Sequence, residues 1–366
     1  MDDRLQVALS AADRALARLD GATLTLPDPD LFVYAFMRQE AVLSSQIEGT
    51  QASLDDLFEY EAAISSPDRD EDIEEVVNYI RAMNWALDEL DRLPISIRLI
   101  KGLHKQLLRS GRGSARAPGD LRDNQNWLGP EGCTIEQASF VPPAVPLMHE
   151  ALYDLEKFIH DEKSLPPLIK YALIHSQFET IHPFWDGNGR IGRMLVTLLL
   201  CSDKILIKPV LYLSLFFKQN RQAYYDTLQA TRDKGEIEDW VLFFLNGVEA
   251  SSKSALSSAR AILSLREHIT ERLPKITGNR HAHTLLHVMY RQPYITTNAA
   301  KEFISSSYPT ANTLIGELVE GGILTEVTGR SRGRVYAFRP YLDILHKSVE
   351  SLTGILDGND HLATRQ

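Results

Sequence analysis

Apolar residues recur at three- and four-residue spacing through most of the first 250 positions, and that period commits this stretch to amphipathic helices. Residues 3–19 place Leu5, Leu9, Ala12, Leu16 and Leu19 on one stripe. Pro27-Asp28-Pro29-Asp30 reads as a turn and cap, followed by a helix from Leu31 to Gln46. Ser53 with Asp56 gives the next helix a capping-box pattern. Further helical periods lie near 73–92, 96–109, 146–160 and 167–180, and another runs from near Gly189 to Ser202. Residues 111–146 break this texture with Gly, Pro, Asn and Trp in irregular order. They predict a long ordered loop with a short hairpin, since Pro142 and Pro143 cannot donate inside a sheet. A loop of that length inside a helical domain usually carries function.

The pattern changes again towards the C-terminus. Residues 249–274, rich in Ala, Ser and Leu, predict a connecting helix. Three short helices are expected at 282–290, 296–304 and 310–320, then strands at 323–327 and 334–338 around the turn 328–333. Three helices and a two-stranded wing predict a winged helix-turn-helix. The fold class is therefore mainly α, with a short hairpin flap and a C-terminal winged helix. The expected division is a helical N-terminal region at 1–95, a core at 96–248, the connecting helix, the winged helix at 275–346 and a tail at 347–366.

Net charge is −10, which argues against a chain that binds nucleic acid throughout. Glu271 to Lys347 nevertheless hold ten Lys or Arg against six Asp or Glu, so +4 sits there and −14 elsewhere. Cys133 and Cys201 are too few for a disulfide framework or a cysteine zinc site. The longest apolar run, Met194 to Cys201, is much shorter than the roughly 20 residues a membrane helix needs. The N-terminus lacks a basic region followed by an apolar one. These features predict a cytoplasmic location and no membrane partner.

The chemistry concentrates in Ile181-His182-Pro183-Phe184-Trp185-Asp186-Gly187-Asn188-Gly189-Arg190-Ile191-Gly192-Arg193. Gly187, Asn188 and Gly189 allow positive φ, which can turn successive amides into an anion-binding nest. The helix that starts there adds its positive dipole end. Arg190 and Arg193, three apart, share a helix face and offer forked donors to phosphate. Asp186 at the rim can hold a Mg²⁺ that bridges phosphates. His182 supplies a base near neutral pH. Together they describe a polyphosphate site with a proton acceptor beside it. A metal hydrolase built on His175, Glu179 and His182 is set aside, because no third ligand at zincin spacing follows.

This segment matches the Fic family pattern H-x-F-x-[DE]-G-N-G-R-x-x-R at every defined position, and the chain resembles that family over roughly residues 1–250. Upstream, Ser44, Glu48 and Gly49 fit the family's inhibitory pattern [ST]-x-x-x-E-[GN]. Asn124 to Trp127 and Phe140 to Pro143 look like its loop and flap, and Tyr224-Tyr225 resembles its adenine-contacting aromatic pair. Some relatives carry an Asn seven residues after that pair; here Arg232 stands there, so that role is not carried over.

The resemblance implies a protein adenylyltransferase that moves AMP from ATP to a Ser, Thr or Tyr hydroxyl of a target protein and of itself. His182 would be the base and Asp186 the Mg²⁺ ligand. The ATP site would comprise Asp186, Gly187, Asn188, Gly189, Arg190, Ile191, Gly192, Arg193, Tyr224 and Tyr225. Ser139, Phe140 and Val141 would dock the target backbone by strand addition. Glu48 would pair with Arg193 and occupy the fork that the γ-phosphate needs. De-AMPylation by the same residues and a homodimer that stabilises the inhibited state stay open. So does nucleic-acid binding through the C-terminal domain, where 310–320 would be the recognition helix and Arg330, Arg332 and Arg334 the wing. Glu317 and Glu320 in that helix count against it.

Overall fold

The computed structural model describes residues 2–24, 28–64, 71–130, 132–161 and 163–350; Pro27 of the expected turn and the tail from 351 lie outside them. Among these residues the first half is a helical body: α1 (Asp3–Leu24), α2 (Pro29–Ile47), α3 (Leu54–Glu61), α4 (Glu71–Glu89), α5 (Ile97–Leu107), α6 (Val145–Asp161), α7 (Pro167–Ile181) and α8 (Asn188–Ser202). Two shorter helices, α9 (Ser214–Gln219) and α10 (Arg221–Lys234), lead into α11 (Ile237–Ile276).

The body is organised around α8. Ile191, Met194, Leu195, Val196, Leu198, Leu199 and Leu200 are all buried. A helix whose second half is apolar on nearly every side has to sit at the centre of a core. Helices α2, α4, α5 and α7 pack around it. The capping box of α3 forms as expected, with Ser53 accepting from the Asp56 amide and Asp56 accepting from Ser53.

Helix α11 begins at Ile237 rather than near 249, and its 40 residues span about 60 Å. Gly247 looks like a helix breaker in sequence, but a side chain there would place its Cβ 2.8 Å from the Phe216 ring. It is a packing glycine in the middle of a helix. Helix α1 lies along α11. Buried Ala8, Ala12 and Ala15 on one, and Ser251, Ser252, Ala255 and Ala259 on the other, suit such close approach.

Beyond α11 come α12 (Ala282–Met289), β1 (Tyr294–Thr296), α13 (Thr297–Phe303), α14 (Tyr308–Glu320), β2 (Thr325–Glu326), β3 (Val335–Ala337) and α15 (Arg339–Glu350). The three strands form an antiparallel sheet in the order β1-β3-β2, with Tyr294 and Thr325 both opposite Ala337. The sequence reading lacked β1, because three residues directly after Pro293 are too few to show alternation. This region rests on the body at α2 and α3. Gln39 donates to the Leu345 carbonyl at 2.9 Å, and His346 lies 3.3 Å from Asp55. No helix among the described residues is long and apolar enough to cross a membrane.

Candidate active site

The site forms where α7 ends and α8 begins. Helix α7 terminates on His182, whose φ of 48° is left-handed and whose amide donates to the Phe178 carbonyl at 3.0 Å. A non-glycine residue in that region is uncommon. Several neighbours hold it there. Arg122, 1% exposed, donates through Nε to the His182 carbonyl at 3.0 Å, and its own amide donates to the Pro183 carbonyl at 2.9 Å. Its remaining donors reach the carbonyls of Asn124 and Pro143. One buried guanidinium thereby ties both ends of the long loop to the histidine.

The turn itself is fixed from inside. Asn188 brackets Phe184, accepting from its amide at 2.9 Å and donating to its carbonyl at 2.9 Å. Asn126 donates to the same carbonyl at 3.1 Å. Phe184 stacks on His104 at 3.8 Å. The Gly119 amide donates to His104 Nδ1, so Nε2 carries the proton and donates to the Asp186 carbonyl at 3.1 Å. Burial draws the His104 pKa down to about 4, consistent with that neutral tautomer. Of Gly187, Asn188 and Gly189, only Gly187 takes positive φ, 77°, which glycine adopts without strain; Asn188 and Gly189 are already helical, so the expected nest reduces to one turn residue and the helix start.

Three groups line the mouth of this turn. The first amides of α8 have no acceptor within their own helix. Among the described residues, Nε and Nη1 of Arg190, 3% exposed, have no hydrogen-bond partner; Glu75 Oε2 is 3.6 Å from Nη1 and Asp186 Oδ1 is 3.5 Å from Nη2. Buried donors left without partners are rare and call for a ligand or ion. His182 Nδ1 is likewise buried. Burial, and then the Arg232 charge, draws the His182 pKa down to about 4, so the ring is neutral at pH 7 and able to accept a proton.

Arg193 is a different case, because its Nε and Nη2 are both hydrogen-bonded within the protein. Its Nε donates to Ser44 Oγ at 2.8 Å, and Nη2 donates to the Ser44 carbonyl at 3.0 Å and to Glu48 Oε1 at 2.6 Å. Burial alone would raise the Glu48 carboxyl; Arg193 reverses this and holds it below its ordinary value. Gly189 makes room for the pair, since a Cβ there would lie 2.2 Å from Glu48 Oε1. Gly49, at φ 104°, turns the chain away just after Glu48. The inhibitory pattern and the α8 motif, far apart in sequence, thus meet at one guanidinium.

The remaining predicted residues divide by position. Ile191 is core, and Gly192 is where Glu179 packs, its Cβ position lying 2.6 Å from Glu179 Oε1. Tyr224 is 1% exposed and hydrogen-bonds His175 at 2.9 Å, whereas Tyr225 is 39% exposed beside it. Only Tyr225 presents a ring to solvent. In the loop, Leu128 and Phe140 form a single antiparallel bridge, so the expected hairpin is reduced to one pair. Ser139 donates to the Leu128 carbonyl at 2.8 Å, and Val141 is 43% exposed.

Asp186 keeps an exposed carboxylate, its Oδ1 accepting from the Gly187 amide at 2.6 Å. No group of three or more His, Cys, Asp or Glu that could hold a metal ion assembles among the described residues. A cation at Asp186 would need phosphate oxygens and water to complete its shell, which suits Mg²⁺.

Sequence reasoning missed Arg122, His104 and Glu75, and weighed Glu179 only as part of a metal site. Buried Glu75 is anchored on α4 and takes Arg112 Nε at 2.7 Å and Thr50 Oγ1 at 2.7 Å. Glu179, with burial pushing its carboxyl up to about 7, faces Arg193 and Glu48. None of the four lies in a defined motif position, and each does its work through a long-range contact.

Residues 6–88 match the Fic/DOC family N-terminal region and residues 94–200 match the Fic/DOC family, together just over half of the chain. The chain belongs to the Fic/DOC family. It is 29% identical over 255 residues to Protein adenylyltransferase Fic of Drosophila willistoni, covering 68% of this chain and 47% of that protein. Protein adenylyltransferase fic-1 of Caenorhabditis briggsae is 27% identical over 176 residues, covering 47% and 31% respectively. The chain thus spans less than half the length of these curated relatives. A crystal structure of a Fic family protein from Desulfovibrio desulfuricans G20 shares the fold, with a TM-score of 0.59, 18% identity and coverage of 92% of this chain and 96% of that one.

Proposed function

We propose that this chain transfers AMP from ATP to a Ser, Thr or Tyr hydroxyl of a target protein and of itself, and that Glu48 holds this activity in check. The observation that carries the reading is the convergence at one helix start of a neutral histidine and a buried arginine with unpartnered donors. The similarity to protein adenylyltransferases supports it.

In this reading the α8 amides and Arg190 bind the α- and β-phosphates, with Arg193 assigned to the γ-phosphate. Tyr225, backed by Tyr224, offers its ring to the adenine. The hydroxyl oxygen attacks the α-phosphorus, the bond to the bridging oxygen breaks, and pyrophosphate leaves. His182 takes the hydroxyl proton at Nε2, since Nδ1 is sealed. Asp186 would hold Mg²⁺, which when bound would neutralise phosphate charge. Ser139, Phe140 and Val141 would align the target backbone. Residues 96–248 would be the catalytic core and 275–346 an accessory winged helix, in a cytoplasmic protein whose inhibited state a homodimer would stabilise.

The test uses ATP labelled at the α-phosphate. Label should enter the Glu48→Gly protein at least about tenfold faster than wild type, given what hydrogen bonds to charged groups contribute. With His182→Ala added, incorporation should fall by about a hundredfold or more. Equal labelling of all three proteins sinks the proposal.

A second reading, removal of AMP from a modified protein, draws on the 34% exposure of the Glu48 side chain, which leaves it open to a water. Release of AMP from pre-labelled protein by wild type, and not by Glu48→Gly, would select it.

For the C-terminal region one observation favours duplex DNA. Glu317 bonds to Thr277 and points back towards the end of α11, so the exposed part of α14 presents Tyr308, Asn312 and Thr313, with Glu320 as its exposed carboxylate. Beside it, Arg332 and Arg334 line a cavity of about 340 Å³ with Tyr308 and Asn312. A gel shift with the whole chain, abolished by Arg330, Arg332 and Arg334 to Ala and weakened by salt, tests this.

A further inference from the structure

Arg232 occupies the place where some Fic relatives have an asparagine, and its surroundings here give it a role of its own. It lies in the last turn of α10, half-buried, and makes no ion pair among the described residues. Its Nη2 donates to the Glu179 carbonyl at 3.2 Å and its Nε to Thr180 Oγ1 at 3.2 Å. Nη1 donates to Gln229 Oε1 at 3.2 Å. Its flat face covers the Phe140 ring, with Cζ 3.9 Å from the ring centre.

Each contact has a location that matters. Glu179 and Thr180 belong to the final turn of α7, immediately before His182. Carbonyls there have no intrahelical donor, and the negative end of the helix favours a cation. A plain C-terminal cap would end at those bonds. Phe140, however, belongs to the loop, where its amide and carbonyl pair with Leu128. The edge of one guanidinium holds the end of the catalytic helix while its face holds the flap. Lysine, a point charge with no planar fork, cannot do both.

We propose that Arg232 is a positioning residue that clamps the flap onto the end of α7, so that a target segment lying along residues 139–141 arrives with its hydroxyl over His182. The inference rests on the reading of His182 as proton acceptor. The same cation bears on His182 electrostatically. The charged groups that face that ring are Arg232 and Arg122, which lower its pKa after burial has done most, and Glu48, which raises it. In a Glu48→Gly background, Arg232 and Arg122 remain.

The experiment compares Arg232→Ala, Arg232→Lys and Phe140→Leu, each in the full-length Glu48→Gly protein. It measures hydrogen–deuterium exchange over residues 126–141 and the pH dependence of self-modification with α-labelled ATP. In Arg232→Ala the Leu128, Ser139 and Phe140 amides should exchange at least about fivefold faster, the scale of a lost cation–π contact. Its acid limb should move to higher pH, because a cation that disfavours imidazolium has gone. Arg232→Lys should loosen the flap and leave the limb in place, while Phe140→Leu should loosen the flap without moving it.

Unchanged flap exchange in Arg232→Ala overturns the clamp. So does a fluorescent ATP analogue binding more than about tenfold weaker to Arg232→Ala with the flap unaltered, since Arg232 would then be a nucleotide ligand. A limb that shifts equally for Ala and Lys overturns the electrostatic part. Absence of label from the Glu48→Gly parent would instead remove the AMP-transfer reading, and the exchange measurement would decide the clamp alone.

Discussion

The two arginines at the start of α8 differ in how completely they are satisfied. On the Arg193 side, α2 closes over the site, and Ser44 with Glu48 meets the donors that face it. On the Arg190 side, Nε and Nη1 make no hydrogen bond among the described residues, and Glu75 stands 3.6 Å from Nη1. Both sides belong to the same helix start, and the arginines stand only one turn apart. Under the proposed function the difference marks where regulation would act: the Glu48 carboxylate would stand in for the γ-phosphate at Arg193, while the position beside His182 would stay open to ligand.

The largest test of this contrast removes the carboxylate. Taking Glu48 away leaves Arg193 as a buried charge with one partner fewer, which typically costs about 3–5 kcal/mol. The Glu48→Gly protein should therefore melt well below wild type without nucleotide and regain much of that loss with saturating ATP. Calorimetric melts with and without ATP check it. A variant as stable as wild type would mean the ion pair does not hold the two segments together.

A smaller effect should come from Glu179, which sits behind the sealed half. Its folded pKa, about 7, lies above its ordinary value of 4.5. The folded state therefore binds more protons than the unfolded state between these two values, and stability falls as pH rises through that window. Glu179→Gln should remove this loss, flattening the stability–pH profile by about 1–3 kcal/mol between pH 5 and pH 8. Urea midpoints at the two pH values measure it, and parallel profiles would assign the shift to another group.

The smallest expected change is at Ser44. Ser44→Ala deletes the 2.8 Å bond to Arg193 Nε but keeps the carbonyl contact and the Glu48 pair. Self-modification should rise only about three- to tenfold, between wild type and Glu48→Gly. An increase as large as that of Glu48→Gly would shift the seal from the carboxylate to the hydroxyl.

Much of this site could be read before any coordinates. The run from His182 to Arg193 is local, so helix capping, glycine conformation and arginine spacing are set within a dozen neighbouring positions. Ser44, Glu48 and Gly49 could be named only because their spacing follows a known pattern. The Tyr pair shows the limit of such reading, since adjacent tyrosines look equivalent in sequence while one is sealed against His175 and the other faces solvent. Helix α11 shows another limit, because whether Gly247 ends a helix depends on the Phe216 ring that packs against it.

By itself, the chain order determined the helical texture, the glycine turn that opens α8 and the residue types that surround it, because each depends on interactions within one or two helical turns. Tertiary structure alone decided that Glu48 reaches Arg193, that Arg122 anchors the loop to His182, and that Arg232 lies between Phe140 and α7. Those contacts join segments roughly 60 to 150 positions apart, and only the packing of α2, α7, α8 and α10 around a common core brings their side chains within bonding distance.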